Sequence, residues 1–315
     1  MSNGTPKRII IDTDPGVDDS MAILLAFNSP ELQIEGLTTV FGNTGVDITT
    51  KNALRLVELA GKPVPVAAGA GKPLLRPYTG EGWKVHGRNG LGEVPFPEPK
   101  GMPDKRHAAQ FIIDLVMANP GEITLIPIGP LTNIALAVSL EPRIAENVKE
   151  VVLMGGAAMN PGNASPVAEA NIHNDPEAAH IVFHAGWPVT MVGLDVTHKT
   201  EIDSAYMEQL KAAHNRFTDF IYAISQHYMN LYRQRGIDGM PVHDSSAVAY
   251  VIDPTLFQTK KAYVDVEYQS SFHHGQTVAD WRGQRKLEPN VNVCVDVDSP
   301  RFLDLYRKRL TEPML

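Results

Sequence analysis

A short apolar run followed by a change of period marks the start of this chain. Ile9, Ile10 and Ile11 are consecutive, which is typical of a buried strand. The run breaks at Pro15-Gly16, and the residues over 21–26 then have a helical pattern. The sequence therefore predicts a buried strand, a turn and a helix.

The same alternation continues along most of the chain. Apolar runs predict strands over 32–40, 63–69, 123–129, 148–154 and 189–196. Helical patterns predict helices over 46–59, 104–119, 131–140, 175–185 and 202–234. Strands that alternate with helices in this way indicate βαβ units and a mostly parallel sheet.

The tail of the chain changes pattern. From about residue 260 the alternation favours antiparallel strands, and a last helix is predicted over 299–311. The sequence shows no internal repeat and no linker. We therefore predict an α/β protein with one domain over 1–315. Its open, mostly parallel, Rossmann-like sheet is flanked by helices and carries antiparallel additions near the C-terminus.

Four carboxylates crowd the end of the first strand. Asp12, Asp14, Asp18 and Asp19 lie within eight residues of one another. Like charges this close repel and raise one another's pKa values, and a bound divalent cation offsets that repulsion. Oxygen ligands without a nearby Cys favour Ca²⁺ or Mg²⁺. The alternative is that Asp18 and Asp19 only cap the following helix.

Further polar residues follow other predicted strands. Asn43 comes after the second strand, and Asn163, Glu169 and Asn171 lie in a long loop after 148–154. Ligands of parallel sheets bind beyond the carboxyl ends of the strands, and amides with carboxylates suit the hydroxyl groups of a sugar. The alternative is that these loop residues bond only to their own backbone.

Three other features are explained by structure alone at this stage. A long Gly- and Pro-rich loop over 72–103 contains His86, which on its own is expected to be a solvated loop residue. Tyr228 and Tyr232 have helical spacing, and such tyrosines usually belong to a core. The pair His243-Asp244 opens a predicted helix, where it can serve only as a cap.

Composition limits the possible partners and location. The 315 residues are 43% hydrophobic and 20% charged, as in ordinary globular proteins, and the net charge is −8. This charge and the lack of a basic cluster argue against a nucleic-acid partner. One cysteine, Cys294, excludes an internal disulfide, and no apolar run suggests a signal peptide or a membrane span. The expected location is the cytoplasm.

The segment Asp12-Thr13-Asp14-Pro15-Gly16-Val17-Asp18-Asp19 resembles the amino-terminal signature of the inosine-uridine preferring nucleoside hydrolases. The similarity extends over nearly the whole chain, through Gly42-Asn43, His86-Gly87, Gly129-Pro130-Leu131-Thr132-Asn133, Met154-Gly155-Gly156, Glu169-Ala170-Asn171, Pro241-Val242-His243-Asp244, Asp280-Trp281-Arg282-Gly283 and Pro289-Asn290-Val291. The resemblance implies the nucleoside hydrolase fold and Ca²⁺-dependent hydrolysis of ribonucleosides to free base and ribose.

The resemblance also implies roles for particular residues. Ca²⁺ would be held by Asp14, Asp19, Asp244 and the main-chain carbonyl of Ile128, where many relatives have Thr. Catalysis would involve Asp14 as general base, Asn43, and His243 as proton donor to the base. Substrate would be bound by Asp18, Asn43, His86, Met154, Asn163, Glu169, Asn171, Tyr228 and Tyr232.

His243 matches the position that marks the inosine-uridine type, so broad or pyrimidine-tolerant specificity is expected. Ala170 stands where several relatives carry an aromatic residue, so packing near the ribose 5′ end is expected to differ. Relatives are dimers or tetramers, so a homotetramer or a homodimer is implied.

Two alternatives stay open at this stage. A phosphatase of the haloacid-dehalogenase type also has an Asp-x-Asp after its first strand, although its second Asp is seldom followed by Pro. A non-catalytic nucleoside or sugar binding protein would bind the same ligand without needing a general base.

Overall fold

The computed structural model describes residues 5–80 and 82–313. In these ranges eleven strands form: β1 (Lys7–Thr13), β2 (Leu32–Thr39), β3 (Val66–Ala68), β4 (Ile123–Pro127), β5 (Glu150–Met154), β6 (Val189–Val192), β7 (Glu201–Ile202), β8 (Met240–Pro241), β9 (Phe257–Val266), β10 (Thr277–Asp280) and β11 (Val291–Val297). Residues 1–4, in which the sequence suggests no signal peptide, lie outside the described ranges.

The same ranges contain thirteen α-helices: α1 (Val17–Phe27), α2 (Val46–Ala60), α3 (Trp83–His86), α4 (Ala108–Ala118), α5 (Thr132–Leu140), α6 (Ile144–Asn147), α7 (Ala170–Asn174), α8 (Pro176–Phe183), α9 (Leu194–Thr197), α10 (Ser204–Lys211), α11 (Arg216–Gln234), α12 (His243–Ile252) and α13 (Ser299–Thr311). A short 3₁₀ helix, Pro254–Leu256, joins α12 to β9. No helix in the described residues is long and apolar enough to cross a membrane.

Nine of the strands form one sheet in the order β10-β9-β11-β6-β5-β4-β1-β2-β3. The pairings from β3 to β11 are parallel, whereas β9 is antiparallel to both β11 and β10. This confirms the predicted open α/β sheet with antiparallel additions near the C-terminus. The chain runs outward from β1 in both directions, so the carboxyl ends of β1 and β4 flank the crevice at which ligands of such sheets bind.

Strand β1 is central because its two faces reach two different cores. Ile9 and Ile11 belong to the apolar cluster that includes α1 and α12, whereas Ile10 belongs to the cluster that includes α4 and α5. Successive side chains of a strand point to opposite faces, so three consecutive isoleucines fill both cores. All three are at most 1% exposed.

Two predicted boundaries are wrong for identifiable reasons. The helix predicted over 104–119 begins at Ala108, because Asp104 instead bonds through its N–H to the carbonyl of Val66 (2.7 Å). The strand predicted over 189–196 ends at Val192, where Gly193 precedes helix α9. The apolar residues of this short helix continue the run, so the pattern did not reveal the change.

The single helix predicted over 202–234 consists of strand β7 and two helices, α10 and α11. The chain turns at His214, whose φ is +48°, and Asn215 then caps α11 by accepting the N–H groups of Phe217 and Thr218 (2.9 and 3.0 Å). An Asn three residues before a Thr is a capping signal that the apolar periodicity concealed.

Asn133 fastens three segments of the sheet together. Its amide nitrogen donates to Asp12 Oδ1 (2.8 Å) and to the carbonyl of Thr39 (2.9 Å), and its amide oxygen accepts the N–H of Ala70 (2.9 Å). Asn133 is fully buried, so its loss leaves several buried polar groups without partners.

We therefore expect Asn133→Ala to lower the free energy of unfolding by about 2–4 kcal/mol, measured by urea denaturation. The matched control is Asn230→Ala, at an exposed position of α11, which we expect to change stability by no more than about 0.5 kcal/mol. Equal effects of the two variants would contradict the fastening role of Asn133.

Candidate active site

The turn between β1 and α1 fixes the carboxylate of Asp19 by backbone and side-chain hydrogen bonds. Asp19 accepts the hydroxyl of Thr13 (2.6 Å) and the N–H groups of Asp14 (3.2 Å) and Gly16 (3.0 Å). The last of these bonds caps helix α1, so Asp19 makes the capping contact, which the alternative interpretation had taken as its only role. Capping and a place in the carboxylate group are combined in this one side chain.

Asn43, from the loop after β2, connects Asp14 to Asp19. Its backbone N–H donates to Asp14 Oδ2 (2.6 Å), while its side-chain amide donates to Asp19 Oδ2 (2.8 Å) and to the carbonyl of Asp14 (3.1 Å). Two glycines leave room for this arrangement: a Cβ at Gly42 or at Gly129 would collide with the Asp14 carboxylate. The loops after β2 and β4 therefore both approach the Asp14 carboxylate closely.

Asp12 is separated from the other three carboxylates. Its Oδ1 accepts the Thr38 hydroxyl (2.6 Å) and the Asn133 amide (2.8 Å) beneath the site. Burial raises the pKa of Asp12 to about 7. The sequence placed four carboxylates together, but Asp12 lies within β1, where its bonds to neighbouring segments support the fold, whereas Asp14 follows the end of the strand.

Asp18 and Asp19 form a compact group with Asp244, which lies in the first turn of α12, and Asp14 is not one of the three members of this group. Oxygen atoms of Asp18, Asp19 and Asp244 all lie within 4.8 Å of one another. His243 and Asp244 follow the N-cap residue Val242, and no side-chain hydrogen bond caps α12 at that residue. Asp14 Oδ1 is buried and has no hydrogen-bond partner among the described residues.

Burial is the main cause of the raised pKa values of these carboxylates. It raises the pKa of Asp14 and of Asp244 well above the usual range and that of Asp18 to about 8, and repulsion from neighbouring carboxylates raises them further. A cation bound among these oxygens would offset both effects. The partnerless Asp14 oxygen and the all-oxygen donor set therefore fit a hard divalent ion.

A second set of polar residues lies beyond β4 and β5. Glu169 accepts the N–H groups of Gly156 (3.0 Å), Asn171 (2.8 Å) and Ile172 (3.1 Å), which fixes its carboxylate at the start of α7. The Asn171 amide donates to the main-chain carbonyls of Ile128 (3.0 Å) and Met154 (3.1 Å). The loop after β5 is thereby tied to the ends of both strands.

Asn163 partly follows the alternative interpretation. Its side-chain oxygen accepts the N–H of Ala170 (3.0 Å), as a residue that organises its own loop would do. It nevertheless lines the same cavity as Glu169 and Asn171.

Helices α3 and α11 form the opposite wall. His86 is buried, and its Nδ1 accepts the N–H of Val17 (3.2 Å) and lies 3.7 Å from Asp18 Oδ1. Its ring is 5.5 Å from that of Tyr228, which is 5.2 Å from Tyr232. The expectation of a solvated loop histidine is wrong, because the short helix α3 folds His86 onto the start of α1.

His243 is held by a contact that the sequence did not suggest. Its Nδ1 lies 2.7 Å from Thr197 Oγ1, and its ring packs 5.7 Å from His198, with both partners coming from the segment after β6. Burial lowers the pKa of His243 to about 3, so the ring is neutral at pH 7 rather than titrating near neutrality. Thr197 is 46 residues away along the chain and carries no motif, so no sequence signal marked it.

These walls enclose one cavity of about 360 Å³, which is the size of a small-ligand site. Twelve of the predicted site residues line it: Asp18, Asn43, His86, Ile128, Met154, Asn163, Glu169, Asn171, Tyr228, Tyr232, His243 and Asp244. Asp14 and Asp19 are not among the lining residues, but both are hydrogen-bonded to Asn43, which is. Arg235 and His173 also line the cavity and were not predicted.

The family described as inosine-uridine preferring nucleoside hydrolase matches residues 9–304 of this sequence. The chain belongs to that family. Nucleoside hydrolases are enzymes that act on N-glycosyl bonds, so the predicted enzyme class is confirmed and the phosphatase and binding-protein alternatives are not supported.

Individual nucleoside hydrolases resemble the chain along its full length. An inosine-uridine preferring nucleoside hydrolase of Leishmania major is 46% identical over 94% of this chain and 95% of its own length. The pyrimidine-specific ribonucleoside hydrolase RihA of Salmonella schwarzengrund is 39% identical over 96% and 97%. The solved structure of the plant nucleoside hydrolase PpNRh1 superposes with a TM-score of 0.93 at 37% identity, covering 98% and 100%.

The raised carboxylate pKa values predict how stability of this nucleoside hydrolase depends on pH without a cation. The folded state keeps protons on Asp14, Asp18 and Asp244 that the unfolded state has already released, so stability is lost as pH rises towards about 8. The buried histidines act in the opposite direction, but only below about pH 6.5, the pKa of an unfolded histidine.

We therefore expect the Tm in a calcium chelator to fall between pH 6.5 and pH 8, as measured by scanning calorimetry. Saturating Ca²⁺ is expected to raise the Tm most at the upper end of this range. A chelated protein whose Tm is constant or rises over these pH values would contradict the assigned cause.

Proposed function

We propose that this chain hydrolyses the N-glycosidic bond of ribonucleosides to free base and ribose, with Ca²⁺ as its cofactor. One observation carries the proposal: buried carboxylates at the carboxyl end of β1 and histidine and tyrosine side chains line the same nucleoside-sized cavity. Such a reaction passes through a ribosyl cation, which needs negative charge on one side and proton donation to the leaving base on the other.

The carboxylate side would bind the cation and the attacking water. Asp14, Asp19, Asp244 and the carbonyl of Ile128 supply only oxygen ligands, which favours Ca²⁺. When bound, a divalent cation lowers the pKa of the attacking water. Asp14, with one oxygen held by Asn43 and the other without a partner, would accept the proton of that water.

The polar set would hold the ribose. Asp18 and Asn43 lie on the carboxylate side of the cavity, and Asn163, Glu169 and Asn171 lie on the side of β5. The Glu169 carboxylate keeps its position through three N–H donors, so it accepts ribose hydroxyl groups without rearranging. Fixed partners of this kind place the anomeric carbon next to the water and lower the activation barrier.

The aromatic wall would receive the base. His243 has Nδ1 engaged by Thr197, which leaves Nε2 for a proton to the departing base. Negative charge that develops on the base favours the protonated imidazole and so counteracts the effect of burial. His86, Tyr228, Tyr232 and Met154 would complete the contacts. A histidine at this position supports inosine-uridine or pyrimidine-tolerant specificity, and the homodimer or homotetramer and the cytoplasmic location stay part of the proposal.

The first experiment measures free ribose from inosine, uridine, cytidine and adenosine with a reducing-sugar assay. We expect release without added phosphate, suppression by a strong calcium chelator and recovery with Ca²⁺. Asp14→Asn is expected to lower kcat by about 10²–10⁴-fold because it removes the base and one metal ligand. Asp219→Asn, on the exposed start of α11, is the matched control with unchanged turnover.

Release that requires phosphate would indicate a phosphorylase and contradict the proposal. Wild-type turnover in Asp14→Asn would exclude this residue as the general base.

The role of His243 is tested by changing the leaving group. We expect His243→Ala to lower kcat with inosine or uridine by about 10²-fold or more, and to change turnover of p-nitrophenyl riboside little, since p-nitrophenolate needs no proton. His214→Asn, in an exposed turn, controls for the loss of a histidine. An equal loss with both substrates would show that His243 does not act on the leaving group.

A further inference from the structure

A second group of metal-ligating side chains lies outside the cavity, where helix α8 packs on strand β9. His180 and His184 are one helical turn apart, so they share a face of the helix. Their rings are 4.4 Å apart, and both face Asp265 of β9. Ligand atoms of the three residues all lie within 4.8 Å of one another.

One nitrogen of each histidine lies near the same carboxylate oxygen of Asp265. Asp265 Oδ1 is 2.9 Å from His180 Nδ1 and 3.8 Å from His184 Nε2. The other oxygen, Oδ2, faces the guanidinium of Arg285 at 3.8 Å. Oδ1 also accepts the N–H of Val266 (2.8 Å), which fixes the carboxylate orientation and leaves a further lone pair.

Hydrogen bonding fixes the state of His184. Its Nδ1 lies 2.9 Å from the carbonyl oxygen of His180. A carbonyl only accepts, so Nδ1 carries a proton, and the other ring nitrogen, Nε2, lies 3.8 Å from Asp265 Oδ1 and 3.2 Å from the Tyr263 hydroxyl. A histidine that donates one ring nitrogen to a backbone carbonyl while the other faces a metal is the usual arrangement of metal ligands.

Neighbouring aromatic rings orient both imidazoles. Tyr268 packs 4.9 Å from His180, and Tyr263 packs 5.9 Å from His184. The three ligand side chains are 28–33% exposed, so an ion can enter from solvent and water can complete its coordination. The group is therefore preorganised and accessible.

We propose that His180, His184 and Asp265 form a binding site for Zn²⁺ or a similar transition-metal ion, separate from the proposed calcium site. Two imidazoles and one carboxylate are a ligand set for zinc, whereas the carboxylate group in the cavity offers only oxygen. Metal ligation requires that Nδ1 of His180 carry no proton, so that its lone pair faces the ion.

The ion joins helix α8 to the antiparallel edge of the sheet. Helix α8 directly follows α7, whose Asn171 ties the cavity loop to β4 and β5. Binding in the folded state alone stabilises that state, so zinc raises the Tm.

The test measures Zn²⁺ affinity of the full chain by competition with a chromophoric chelator, in saturating Ca²⁺ so that the cavity carboxylates are occupied. We expect one micromolar zinc site per chain and a Tm that rises with zinc. Affinity is expected to fall at least about 10-fold in His184→Ala and in Asp265→Asn. His214→Asn, an exposed histidine at positive φ that Asn tolerates, is expected to bind as wild type.

Absence of micromolar zinc binding in the wild type would overturn the proposal and leave an ordinary hydrogen bond between α8 and β9. Equal zinc affinity in the wild type, His184→Ala and Asp265→Asn would overturn it as well. Asp265→Asn keeps the shape of the side chain and so separates loss of a ligand from loss of folding. Zinc binding is measured without turnover, so its failure and the failure of the proposed hydrolysis are distinguishable.

Discussion

The structure depends on keeping several carboxylates buried beside one another at the end of one strand. Asp14, Asp18 and Asp19 are at most 5% exposed, and their mutual repulsion has to be offset locally. Part of the offset is visible in the donors that surround Asp19 and in the backbone N–H of Asn43. The remaining oxygen of Asp14 has no donor, and this deficit makes the turn suitable for a cation.

This constraint explains why distant parts of the chain converge there. The donors to Asp14 and Asp19 come from the turn itself and from the loop after β2, and the space around Asp14 depends on glycines after β2 and β4. Asp12 and Asn133 support these loops from below through buried hydrogen bonds. Many of the hydrogen bonds that hold the ends of β1 and β2 thus also position residues of the cavity.

The sequence was sufficient to predict elements and site residues that follow from a local pattern. It was not sufficient for residues whose position depends on packing between distant parts of the chain. Three consecutive isoleucines were enough to predict β1 as a buried strand, and the carboxylates near its end marked the site. His86 was misjudged because its burial depends on α3 folding onto the start of α1, which no local pattern reveals. Thr197 was missed because a hydroxyl acquires its role only from the ring it contacts, and His243 is 46 residues further along the chain.

The two walls of the cavity differ in how they are held, and this difference bears on specificity. Glu169 and Asn171 are fixed by backbone donors and acceptors at strand ends, so the polar side is rigid and suits a constant part of the substrate. The facing side consists of rings on helices, with Tyr228 against His86 and Tyr232. Ring packing tolerates changes in the shape of its neighbour more readily than a fixed set of hydrogen bonds does. This arrangement supports the proposal of broad specificity, with a common ribose site and a more permissive base site.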